Sequence, residues 1–148
     1  MTTLTLNQAD RLADGTLAKG RELGLAPLTV AVLDAGGHVV VLKRADGASI
    51  LRPDLATAKA WGALGMGFGG RELARRAEKM PSFFSALNAI SEGRMVPVAG
   101  SALLRDAQGQ VVGAVGVSGD TSDNDEAALL DAVRSVGLTP DTGDNPAA

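Results

Sequence analysis

Gly109-Gln110-Val111-Val112-Gly113-Ala114-Val115-Gly116-Val117-Ser118-Gly119-Asp120 is the stretch that decides the fold. Its valine-rich centre, Val111 to Ser118, reads as a β-strand. Just upstream, Ser101 to Asp106 is a second β-run, and the intervening Ala107-Gln108-Gly109-Gln110 is turn chemistry, so the two form a hairpin. Downstream, Thr121-Ser122-Asp123-Asn124-Asp125-Glu126 opens a helix that carries Leu129, Leu130, Val133 and Val136 inward and stops at Gly137. A matching pair lies further upstream. Leu28 to Leu33 and His38 to Arg44 flank Asp34-Ala35-Gly36-Gly37, a second hairpin.

Helices fill the spaces around these hairpins. Thr5 with Gln8 three residues later is a capping-box signature, and Leu12, Ala13, Thr16, Leu17, Gly20 and Leu23 recur at helical spacing over 6–23. Pro53 starts a second helix through Leu64, which the glycines from Gly65 to Gly70 should end, since each costs about 1 kcal/mol relative to Ala in a helix. A short charged helix from Arg71 to Lys79 and another from Ser82 to Ile90, restarted by Pro81, precede a loop over 93–100. The tail from Pro140 to Ala148 is expected to fray. Each hairpin must bury a face against another layer, which gives α/β/α layering around an antiparallel sheet. The 148 residues suit one domain, 1–148, with its core at about 4–137 and a flexible tail over 138–148.

Composition narrows the chemistry. Aromatics are 3% of the chain, confined to Trp61, Phe68, Phe83 and Phe84, and there is no Tyr, so base stacking is poorly served. A net charge of -3 gives no field that draws in polyanions, and nucleic acid is excluded as the expected partner. The absence of Cys removes disulfides, thiolate nucleophiles, Cys-ligated zinc and iron–sulfur clusters. The opening MTTLTLNQADRLADG lacks a basic segment followed by an apolar one, and no 18-residue apolar run exists. A cytoplasmic chain without a membrane span is the expectation.

Several motifs invite a function. Gly65-Met66-Gly67-Phe68-Gly69-Gly70 spells G-x-G-x-x-G, yet a helix rather than a strand precedes it, so a dinucleotide site is not expected. The same glycines, leading into a helix beside Arg71, can form a nest of N–H groups for a carboxylate, with Met66 and Phe68 as apolar contacts around Gly67. Arg44, Lys59, Arg71, Arg75 and Arg94 form a candidate anion-binding set, of which Arg71 and Arg75 are also explained by partners on their own helix. Asp120, Asp123, Asp125 and Glu126 place four carboxylates in seven residues, but the spacing fails the EF-hand pattern, and capping the following helix accounts for them. His38, the only histidine, is a weak candidate for an iron ligand; no metal site is otherwise expected. If the chain is an enzyme, Lys59, Asp46 and Asp120 are its acid–base candidates, acting on a small organic acid without a cofactor. An accessory or structural subunit is the remaining alternative.

Val30 to Asp34 with its GG turn, Arg44 to Ala48, Ala58-Lys59-Ala60, and above all Gly109 to Asp120 followed by Asp123-Asn124-Asp125-Glu126 resemble the GlcG/HbpS family over about Leu4 to Gly137. The family also includes the C-terminal domain of PduO-type adenosyltransferases. The resemblance implies a profilin-like three-layer α/β/α sandwich with a central antiparallel sheet of about five strands. It further implies a homo-oligomer, tetramer to octamer, that binds a small ligand, with haem as the cofactor and haem degradation in some members. Helix one carries no histidine to ligate iron, and Pro97-Val98-Ala99-Gly100-Ser101 stands where members tend to have a GG-x-P stretch. The ligand-binding set on this reading is Arg44, Lys59, Met66, Gly67, Phe68 and Arg71.

Overall fold

The computed structural model describes residues 3–144. Its elements run α1 (Leu6–Glu22), β1 (Thr29–Asp34), β2 (Val39–Arg44), α2 (Arg52–Met66), α3 (Gly70–Lys79), α4 (Pro81–Ile90), β3 (Ser101–Arg105), β4 (Val111–Ser118), α5 (Ser122–Ser135) and β5 (Thr139–Asp141). The five strands lie in the order β2-β1-β4-β3-β5, every neighbouring pair antiparallel. Both hairpins form as the sequence suggests, and pairing of Val32 with Val115 in the β1/β4 ladder welds them together.

Alternation then sorts side chains between two layers. Val30, Val32, Ala102, Leu104, Val115 and Val117 face α1 and α5, where Leu12, Leu129 and Val133 complete the main core. The other face presents Leu33, Leu103 and Ala114 to Ala60 and Ala63 of α2. The α2 layer lies close because its inward residues are small: a side chain at Gly116 would overlap the backbone of Ala56 and Ala60. That closeness lets a side chain of α2 reach the carbonyls at the end of β4. A separate apolar cluster of Leu73, Phe84 and Met95, with Trp61, Met66 and Phe68 beside it, holds α3 and α4 against the end of α2.

The caps behave as read. Thr5 and Gln8 form the reciprocal capping box, and Thr121 accepts from the Asn124 N–H at the start of α5. Gly67, with φ 78°, ends α2 in the left-handed conformation open to glycine. The sequence suggests fraying from Pro140 onward, whereas Thr139–Asp141 pairs with β3 and Asp141 Oδ2 accepts from Arg105 Nε at 2.9 Å. Pro140 is admissible there because β5 is the sheet edge, where one side needs no N–H. The rest of that expectation, residues 145–148, lies outside the described residues.

Candidate functional site

The turn between β1 and β2 arranges the only histidine. Asp34 Oδ1 accepts from the N–H groups of Gly36 (2.9 Å) and His38 (3.0 Å), an Asx-type turn, and stands 3.2 Å from His38 Nδ1. A carboxylate can only accept, so the neutral ring carries its proton on Nδ1 and leaves Nε2 as a free lone pair. The His38 side chain is 80% exposed. The Asp34 carboxyl is held below the usual carboxylate range, chiefly by the His38 backbone N–H, so it stays charged to do this.

His38 and Asp34 line a groove of about 900 Å³ that continues to the β3/β4 turn. Leu4, Val111 and Val112 give it an apolar wall, and Gln108 and Gln110 a polar one. Asp106, also at its edge, accepts from the backbone N–H groups of Gln108 and Gln110. Among the described residues the groove lining contains no Arg or Lys.

Arg44 and Asp46 sit elsewhere, in a pocket of about 460 Å³ with Arg21, walled by Leu17, Leu25 and Leu28. Among the described residues neither Arg21 nor Arg44 has a carboxylate within ion-pair distance.

The cleft that the sequence suggests, where Arg44, Lys59 and Arg71 meet a glycine nest, does not form within this chain. Lys59 is 5% exposed, and its Nζ donates to the Val117 carbonyl (2.8 Å) and to Asp125 Oδ2 (3.1 Å). Arg71 donates through Nε to Glu126 (3.0 Å) and through Nη2 to Asp123 (2.9 Å), which holds its guanidinium charged and engaged. The start of α3 is closed by the chain itself: the Arg71 N–H donates to the Thr142 carbonyl, and a side chain at Gly69 would overlap Thr142 and Gly143. Gly69 therefore admits the end of β5 and the backbone following it at close range, a partner its own stretch of sequence does not announce, and Gly70 admits Val98 and Ser101. Asp120 accepts from Ala26 N–H, Thr121 N–H and the Asn124 amide, the last of these doing most to hold its carboxyl low. The cap itself is Thr121, whereas Asp123 and Glu126 pair with Arg71 and Asp125 with Lys59, ion pairs that a reading of these acids as helix caps does not include.

Met66 and Phe68 are packed into the cluster under α3 and α4, and Arg76 stacks on Phe68 with its guanidinium carbon 3.9 Å from the ring centroid. Composition flags Trp61 only as a rare aromatic, yet its indole Nε1 would lie 3.1 Å from a Cβ at Gly37, the residue before His38. Asp34 as the partner of His38 is likewise missed, although the Asp-x-Gly-Gly-His spacing around one turn was available to find it.

A family profile described as "Haem degrading protein HbpS-like" matches residues 4–134. A curated relative, an uncharacterized 15.0 kDa protein from the dhaT-dhaS intergenic region of Citrobacter freundii, is 32% identical over 123 residues, 83% of this chain and 84% of its own. An HbpS double mutant of Streptomyces reticuli superposes with a TM-score of 0.77 at 31% identity, over 92% of this chain and 88% of the other. A PduOC:heme complex superposes with a TM-score of 0.82 at 24% identity, covering 93% and 97%, and at that identity speaks for the fold. With the profile spanning nearly all of the sheet and its helices, this chain belongs to the HbpS-like family.

Proposed function

We propose that the chain binds haem, or a planar anionic ligand of that kind, in the groove between the two β-turns, with His38 on the iron. The observation that carries this is the Asp34–His38 pair, which fixes the tautomer and turns an unblocked imidazole nitrogen toward solvent beside the groove. The groove volume falls in the range of small-molecule and cofactor sites. The family description supports the ligand class. Bound haem would supply an iron centre for redox or oxygen chemistry. The chain's own part is to ligate through His38, orient that ring through Asp34 and shield the ligand with Leu4, Val111 and Val112. Breakdown of bound haem, the activity named in the family description, is the finer part of this proposal.

The protein is read as a cytoplasmic homo-oligomer, tetramer to octamer. Ile50, Ile90 and Phe83 are 87%, 76% and 49% exposed, and Val39 and Leu42 lie half-exposed on the edge strand β2, apolar surface of the kind that association covers. No described helix is long and apolar enough to cross a membrane. Light scattering on the purified protein checks the assembly, and a monomer would remove this part of the reading.

Titrating purified protein with haemin tests the function. A Soret band that shifts and sharpens at micromolar protein, and is lost in His38→Ala, is expected; an unshifted band in the wild type overturns the reading. A second reading, favoured by the pocket that places Arg21 and Arg44 beside Asp46, is binding of a small organic acid with Asp46 as the proton-transfer group. Calorimetry with 2-hydroxy acids at millimolar concentration should show heat that Arg44→Ala abolishes, and no heat in the wild type removes it.

A further inference from the structure

Helix α4 is poorly used by its own chain. Over Pro81–Ile90 it carries no charged residue, yet eight of its ten positions are exposed. Phe84 is buried and Leu87 partly so, both in the cluster with Leu73 and Met95, and of the other elements only α3 runs close to it. On the free side Phe83, Ala86 and Ile90 recur at i, i+3 and i+7, with Ser82 and Ala89 beside them. Phe83 and Ile90 are 49% and 76% exposed. An apolar stripe at that spacing is what a helix offers to another helix.

The order of residues along the stripe selects the occupant. Large side chains stand at its two ends and small ones between them, so it reads the same in both directions. A second α4, laid antiparallel across the first about a two-fold axis at Ala86, sets Phe83 against the partner's Ile90 and Ile90 against the partner's Phe83. The alanines at the crossing let the two backbones approach.

Charge at the helix ends agrees. Glu78 and Lys79 stand just before α4 and Glu92 and Arg94 just after it, all four exposed, with the Arg94 guanidinium carbon 4.2 Å from the centroid of the Trp61 ring. None of the four has an opposite charge within ion-pair distance among the described residues. Arg11, Arg21, Arg44 and Arg52 also lack such a partner, so the weight lies in sign and position. The same antiparallel crossing brings Glu78 toward the partner's Arg94 and Lys79 toward the partner's Glu92, and the symmetry repeats both pairs at the other end. A parallel crossing would set each charge against its like. The antiparallel arrangement also opposes the two helix dipoles, end to end.

We propose that α4 is a two-fold contact between copies of this chain, each α4 crossing the partner's α4 antiparallel at Ala86. This rests on the reading of the chain as a homo-oligomer and names one of its surfaces; an assembly of four or more copies in closed dihedral symmetry uses a further one.

The chain has no cysteine, so Ala86→Cys carries one thiol per copy and any disulfide it forms joins two copies. Mild oxidation at micromolar protein should convert most of that variant to covalent dimer on non-reducing electrophoresis. Ile90→Glu should keep the far-ultraviolet circular dichroism of the wild type while light scattering shows the mass of the assembly fallen to half or less. If that variant does not fold, the smaller Ala86→Cys change still decides. Lys79→Glu should weaken association about fivefold or more, and adding Glu92→Lys should restore it to within about twofold. A wild-type mass in folded Ile90→Glu, no Ala86→Cys dimer, or no recovery in the double swap overturns the proposal. An oligomer that persists through these changes leaves the homo-oligomer reading standing with its contacts on other surfaces. A wild type that is monomeric removes both readings.

Discussion

Lys59→Met probes the buried pair that fastens α5 to the sheet. Lys59 and Asp125 are 5% and 1% exposed, so neither charge is hydrated, and the Lys59 Nζ makes its two hydrogen bonds at 2.8 and 3.1 Å. Removing one partner of such a pair strands the other, at about 3–5 kcal/mol. For a domain of this size that is a fall in Tm of roughly 6–20 °C, at about 2–4 °C per kcal/mol. The loss should depend on pH in a definite direction. Burial already pushes the Asp125 carboxyl up, and without the ammonium it rises further. A carboxyl whose folded pKa lies above its unfolded one penalises folding fully above the folded value, and the penalty disappears below the unfolded one, about 3.9. The variant's deficit should therefore be largest near neutrality and shrink toward about pH 4. Adding Asp125→Asn keeps an acceptor for the Asp120 N–H and should recover about 2 kcal/mol. Urea unfolding followed by Trp61 emission at both pH values measures all of this. A neutral-pH deficit under 1 kcal/mol, or one that does not change with pH, would refute the reasoning and return Lys59 to the ligand-binding candidates.

Other consequences concern packing and caps. Gly116→Ala should cost about 1–3 kcal/mol by forcing α2 off β4, read from the urea midpoint. Thr121→Ala should cost about 1 kcal/mol through the lost cap on the Asn124 N–H, with no change in ligand binding. Truncation after Leu138 removes β5 and the Thr142 carbonyl, so the Arg71 N–H loses its acceptor; a stability loss of at least about 1–3 kcal/mol is expected, and faster hydrogen exchange at the start of α3 should accompany it.

Local chemistry made much of the fold legible. The Thr5/Gln8 box, the turns at Gly36-Gly37 and Gly109, and the valine-rich runs are short-range signals, and each formed where read. What escaped was long-range. β5 is three residues long and contains a proline, so nothing in it reads as a strand; the family resemblance implied about five strands, but which residues form the fifth shows only in its pairing with β3. The glycines at 69 and 70 look like a ligand nest because sequence shows the space they open and not what fills it, the end of β5 at Gly69 and Val98 with Ser101 at Gly70. The cations misled in the same way: Lys59 and Arg71 belong to carboxylates more than fifty residues away, a pairing that spacing cannot reveal. His38 was visible as a lone histidine at a turn, whereas its orientation by Asp34 required coordinates.

The central claim, that the His38 imidazole is poised as a ligand by Asp34, is tested most directly by nitrogen-15 NMR of that ring. With one histidine in the chain, only one imidazole contributes. The free protein should show the Nδ1–H tautomer when neutral, and zinc protoporphyrin should shift Nε2 alone by direct coordination. An Nε2–H tautomer, or a ring whose nitrogen resonances do not move as the metalloporphyrin is added, would contradict the account.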